Sequence, residues 1–202
     1  MNAEKKECEA TIESMNFIAN HIKRVASRLD TDSVTSLVDS IMSAERVFLM
    51  GAGRSGLAAK AFAMRLMHMG FNVYVVGETT TPAVQEEDLV IAVSGSGETP
   101  SIANLGGIAK KIGSKLATIT SNRDSSLGKI SDIVVVIPGR PKDDVIYEDY
   151  QARRMIGYPQ LAPLGTVFEI SALVFLDAVI SELMVRTGES EAELKKRHTV
   201  FE

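Results

Sequence analysis

Leu89-Val90-Ile91-Ala92-Val93-Ser94-Gly95-Ser96-Gly97-Glu98-Thr99-Pro100 is the stretch that decides the fold. Its unbroken apolar start fits a strand buried on both faces. Glycines and hydroxyls then end the strand, and Thr99-Pro100 opens a helix with proline at its first position. At such a helix start, unpaired N–H groups and the positive end of the helix dipole favour an anion. Ser94, Ser96 and Thr99 add neutral hydrogen bonds and no fixed charge. This set suits a phosphate monoester on a small molecule. A helix cap explains Thr99 without a ligand, but not two further serines separated by glycine.

Upstream, Val47-Phe48-Leu49-Met50-Gly51-Ala52-Gly53-Arg54-Ser55-Gly56 repeats the plan of strand, glycine turn and helix. Gly51-x-Gly53-x-x-Gly56 also matches a dinucleotide fingerprint, with Glu78 in the place of the ribose-binding acid. Arg54 inside the turn and the rival phosphate site at Ser94 to Thr99 count against that reading. A tight turn that needs glycine for its backbone is the plain alternative.

The same rhythm extends along the chain. Valine-rich or apolar runs at 71–76, 115–120 and 132–137 predict further strands, making five with the two above. Alanine-, leucine- and methionine-rich stretches at 55–69 and 102–112 predict helices between them. Apolar strands alternating with helices predict a three-layer α/β domain with a parallel sheet covered on both faces. Before it, Ile12, Met15, Ile18, Ile22, Val25 and Leu29 form one helical stripe. Val34, Leu37, Val38 and Ile41 form a second, capped by residues 30–33. The polar stretch 139–160 reads as a loop or lid. A long apolar helix over 167–185 follows, with Pro163 near its first turn and Gly188 at its end. Glu169, Asp177 and Glu182 interrupt that helix, so a buried helix is expected rather than a membrane span.

The 202 residues read as one domain, with 1–45 a helical segment packed on it or on a neighbouring subunit. A net charge of −4 argues against a nucleic-acid partner. The lone Cys8 and a polar start without a signal peptide predict the cytoplasm. Three scattered histidines and one cysteine offer no metal spacing.

Glu169 has two readings. Thr166-Val167-Phe168-Glu169 is a capping-box pattern. Equally, a carboxylate between Phe168 and Ile170 would be partly desolvated, as suits a general base. From the residues alone, His198 is a solvated basic terminus, and His21 and His68 are partly exposed helix residues.

In this order the motifs resemble the sugar isomerase (SIS) domain family. The resemblance rests on Gly53-Arg54-Ser55-Gly56, Met64-Arg65-Leu66-Met67-His68, Gly77-Glu78-Thr79-Thr80-Thr81-Pro82, Ser94-Gly95-Ser96-Gly97-Glu98-Thr99, Gly165-Thr166-Val167-Phe168-Glu169 and Arg197-His198. It implies a flavodoxin-like five-stranded parallel sheet. It implies an isomerase that interconverts D-arabino-3-hexulose 6-phosphate and D-fructose 6-phosphate through a cis-enediol, within the ribulose monophosphate pathway of formaldehyde fixation. Ser55, Ser94, Ser96 and Thr99 would bind the phosphate. Glu169 would be the base, His198 a second acid–base group and Arg54 a cation that either stabilises the enediolate or binds the phosphate. No metal or organic cofactor is implied. The partners are a phosphorylated ketohexose and further copies of the chain, in a homotetramer with shared active sites. The N-terminal stripe would then serve subunit packing. Rival readings are another SIS-type sugar phosphate isomerase and a non-catalytic phosphosugar sensor.

Overall fold

The computed structural model describes residues 8–139, 162–163 and 165–198. Apart from Gly139, the stretch expected to form a loop or lid lies outside the described residues. Two helices, α1 (Glu9–Ser27) and α2 (Thr31–Ser43), come first. Asp30 caps α2 by accepting a hydrogen bond from the Asp32 N–H. Next come β1 (Val47–Gly51), α3 (Gly53–His68) and β2 (Val73–Val75). They lead to β3 (Leu89–Val93), α4 (Pro100–Ile112) and β4 (Lys115–Thr120). The remaining elements are α5 (Ser126–Ile130), β5 (Ile133–Val136), α6 (Thr166–Thr187) and α7 (Glu191–Lys196).

The five strands form one parallel sheet in the order β2-β1-β3-β4-β5. This is the expected three-layer, flavodoxin-like arrangement. Because strand side chains alternate, each central strand feeds two cores. Leu49, Ile91, Ile119 and Val135 face a layer built from α1, α2, α3 and α6. Phe48, Met50, Val90 and Leu116 face α4 and α5 through Ile102, Ala109 and Leu127. With apolar residues pointing both ways, these strands are buried on both sides, as the unbroken runs required.

Three local expectations need correction. His21 and His68 are not partly exposed: each is only 3% accessible. The His21 ring donates from Nε2 to the Pro138 carbonyl at 2.9 Å, and α7 brings His198 over His68. Pro163 is not in the first turn of α6, which begins at Thr166, although its carbonyl accepts from the Thr166 N–H. The capping box is not formed either. The N-cap is Gly165, which has no side chain to cap with, and the Glu169 carboxylate bonds elsewhere.

Candidate active site

The chain leaves β1 for an edge strand on one side and β3 for β4 on the other. Between those two strands the connections diverge, and the crevice at their carboxyl ends is where open α/β sheets take ligands. Both glycine-rich turns lie there. α3 starts from the first turn on one face of the sheet, and α4 starts from the second on the other.

The first turn is shaped by contact. A Cβ on Gly56 would stand 2.7 Å from the Gly51 carbonyl oxygen, and one on Gly51 would stand 2.9 Å from the Gly56 nitrogen. Glycine at both positions lets strand and helix meet this closely, which accounts for the fingerprint without a dinucleotide. Glu78, the would-be ribose acid, is exposed and pairs with Lys60 at 2.6 Å. Ser55 is buried on the inner side of the turn and Arg54 is exposed beside it.

The second turn is held from below. The Gly95 carbonyl accepts from the Ser121 N–H at 2.9 Å, the Ser121 hydroxyl at 2.7 Å and the Thr120 hydroxyl at 3.2 Å. Glu98 accepts from the Ser126 N–H at 2.7 Å and its hydroxyl at 2.6 Å. Those two bonds hold the Glu98 carboxyl below its ordinary pKa. Gly97 has φ +65°, and a Cβ there would collide with Ser125 Oγ at 2.0 Å. Thr99 is the N-cap of α4, yet its side chain makes no capping hydrogen bond. Its hydroxyl instead lies 3.4 Å from that of buried Ser94. Ser96 Oγ accepts from the Glu98 N–H at 3.1 Å. The three hydroxyls therefore belong to one turn, and the cap that could have explained Thr99 is not made.

Glu169 joins the two turns. Arg54 Nε donates to Glu169 Oε2 at 2.5 Å across 115 residues of sequence. The guanidinium side chain is 60% exposed, whereas the carboxylate side chain is only 19% exposed. On the other side, Phe168 packs so closely on Gly95 that a Cβ there would lie 2.9 Å from its ring. Arg54, Ser55, Ser94, Ser96, Thr99 and Glu169 thus come from two turns and one helix at the same end of the sheet. The arrangement offers hydroxyls and helix N-termini for an oxyanion, a carboxylate for proton transfer and a cation beside it.

His198 is not in this group. It follows α7 and lies over His68, with ring centroids 4.9 Å apart, at the far end of α3. Arg54 and His68 are fourteen residues apart on that helix, which is about 21 Å at the usual rise. A cleft there is lined by Arg65, His68, Met184, Glu191, Leu194 and His198. Arg197 fastens the tail by donating to the His68 carbonyl and to Glu189, both at 3.1 Å.

Phe168 and Glu98 stand within the quoted motifs, but nothing in their spacing shows the contact of Phe168 with Gly95 or the anchor from Glu98 to Ser126. The one available signal for the anchor was Ser125, three residues before Gly128, whose N–H it caps. Among the described residues, no three of His, Cys, Asp and Glu gather as metal ligands would.

The SIS domain model matches residues 40–157. The chain belongs to the SIS domain family. Over nearly its full length it is also similar to enzymes named 3-hexulose-6-phosphate isomerase. That of Bacillus subtilis is 41% identical, with 95% of this chain and 99% of that one aligned. That of Mycobacterium gastri is 36% identical over 94% of this chain and 90% of its own. A crystal structure from Methanococcus jannaschii, whose molecular function was inferred as 3-hexulose-6-phosphate isomerase, superposes with a TM-score of 0.78. It is 34% identical and covers 94% of this chain and 99% of its own.

Proposed function

We propose that this protein interconverts D-arabino-3-hexulose 6-phosphate and D-fructose 6-phosphate, as a cytoplasmic isomerase of the ribulose monophosphate pathway of formaldehyde fixation. The observation that carries the reading is the Arg54–Glu169 pair placed beside a turn of three hydroxyls.

The substrate phosphate rests on the turn after β3, against the N-terminus of α4, with Ser94, Ser96 and Thr99 as donors and Ser55 completing the site. Glu169 takes the proton from C2 of the 3-ketose. The C2–H electrons form the C2–C3 double bond of a cis-enediolate, and the former ketone oxygen on C3 takes the negative charge. Arg54 stabilises that charge and holds the carboxylate in line. Glu169 then returns the proton to C3 while O2 loses its proton and becomes the new ketone. A histidine suits the exchange between the two oxygens. His198 fills that role from a neighbouring subunit of a homotetramer, since its own Arg54 lies a helix length away. The reaction needs no metal or organic cofactor.

Incubation with fructose 6-phosphate in D₂O tests the proposal. Deuterium entering at C3 by NMR, with 3-hexulose 6-phosphate accumulating, is the expected result. Tight binding of fructose 6-phosphate without exchange or isomerisation would instead make the protein a phosphosugar sensor.

A further inference from the structure

The loop from β4 into α5 takes up acceptors of the hydroxyl turn at two places. On one side, Thr120 and Ser121 hold the Gly95 carbonyl. On the other, Ser125 packs on Gly97, the Leu127 N–H donates to the Gly97 carbonyl at 3.1 Å, and Ser126 donates twice to Glu98. Ser96 stands exposed between the two holds. Among the described residues, the N–H groups of Ser96 and Thr99 meet no acceptor. The turn is thus sorted: two carbonyls and a carboxylate are spent on the loop, and donors are left over.

Glu98 carries the charge of this turn. It is exposed, so burial does not fix its position. The Ser126 bonds do, one to each carboxylate oxygen. A loose carboxylate here would harm an anion site in two ways. It would repel the phosphate. It would also compete for the N–H groups at the start of α4, where the helix dipole favours it too.

We propose that Glu98 is a positioning residue for the substrate phosphate: its tether to Ser126 fixes the turn from Gly95 to Thr99 and keeps its own charge away from the donors. This rests on the phosphosugar reading above. Glu98 touches no substrate atom, and the phosphate is held alike in ground and transition states. Its effect therefore falls on KM and not on kcat.

Ser126→Pro tests the tether. Ser126 is the first residue of α5, where proline is tolerated, and Ser125 has the extended backbone (φ −64°, ψ 164°) that a following proline requires. The substitution removes both donors and leaves the carboxylate loose. KM for fructose 6-phosphate and the Kd of inorganic phosphate by calorimetry should both rise about 10-fold, with kcat within about twofold. In a Glu98→Gln background, where no charge can be released, the same substitution should cost only about two- to threefold. Ser126→Ala, which loses the hydroxyl bond alone, should shift KM and Kd in the same direction by less, and it serves if the proline variant does not fold. Unchanged KM and Kd overturn the proposal. So does a fall in kcat at constant KM, or an equal cost in both backgrounds, which would mark the loop as a support that acts without the charge of Glu98. Wild-type protein that binds neither phosphate nor fructose 6-phosphate overturns the phosphosugar reading, and this inference with it. Wild-type binding that Ser126→Pro leaves intact overturns this inference alone.

Discussion

Glu169 and Arg54 hold each other over 115 residues of sequence, and each has a separate consequence when changed. Glu169→Gln keeps the size of the side chain and an oxygen for Arg54 but removes the proposed base. Turnover should fall by about 10²–10⁴, while fructose 6-phosphate binding measured by calorimetry stays within a few-fold. Ser96→Ala should act in the opposite way, raising KM with little change in kcat, because on the proposed reading its hydroxyl serves binding in both ground and transition states. Gly97 tests the turn itself. Its positive φ and the contact with Ser125 leave no space for a methyl group. Gly97→Ala should cost at least about 1–3 kcal/mol and lower the melting temperature by several degrees in calorimetry. None of these partnerships could be read from spacing. The sequence shows a carboxylate at the start of an apolar helix and an arginine in a glycine turn. It does not show that the sheet brings them together, and the pattern at 166–169 offered a cap as an equal reading.

At the scale of elements, the strands and the longer helices were legible and the shortest helix was not. The strand expected at 115–120 has those bounds in the structure. The helix α5, five residues long, has too few turns to display a period and was missed. His21 was misplaced for a related reason. The apolar stripe of α1 identifies its buried side only to within a turn, and the partner that makes burial tolerable is a carbonyl far along the chain, that of Pro138. The joint between α4, β4 and β5 gives a pH prediction. Burial pushes the Asp132 carboxyl up, but the Leu116 N–H and the Lys110 ammonium more than offset this and bring it below its ordinary pKa. A carboxylate with a lowered folded pKa stabilises the fold above its unfolded pKa, and that contribution is lost as pH falls through the folded value. Stability measured by urea unfolding should therefore drop as pH falls below about 4, and Asp132→Asn should flatten that slope.

For the whole molecule, the parallel sheet and its two covering layers followed from apolar runs alternating with helices, and the crevice followed from strand order. The position of His198 did not. A charged tail carries no periodic signal, and its contact with His68 depends on Arg197 reaching the end of α3. On the proposed reading its function depends on a second copy, which a single sequence does not display.

Phe168 rests on Gly95 and immediately precedes Glu169, so the turn that would grip the phosphate and the helix that carries the carboxylate share one rigid joint. Their separation is thus set by the scaffold. On the proposed reading the protein is a gauge: it measures a fixed length from the phosphorylated end of its substrate to the carbon that exchanges a proton. A sugar phosphate one carbon longer or shorter would fit the grip and present the wrong carbon to Glu169.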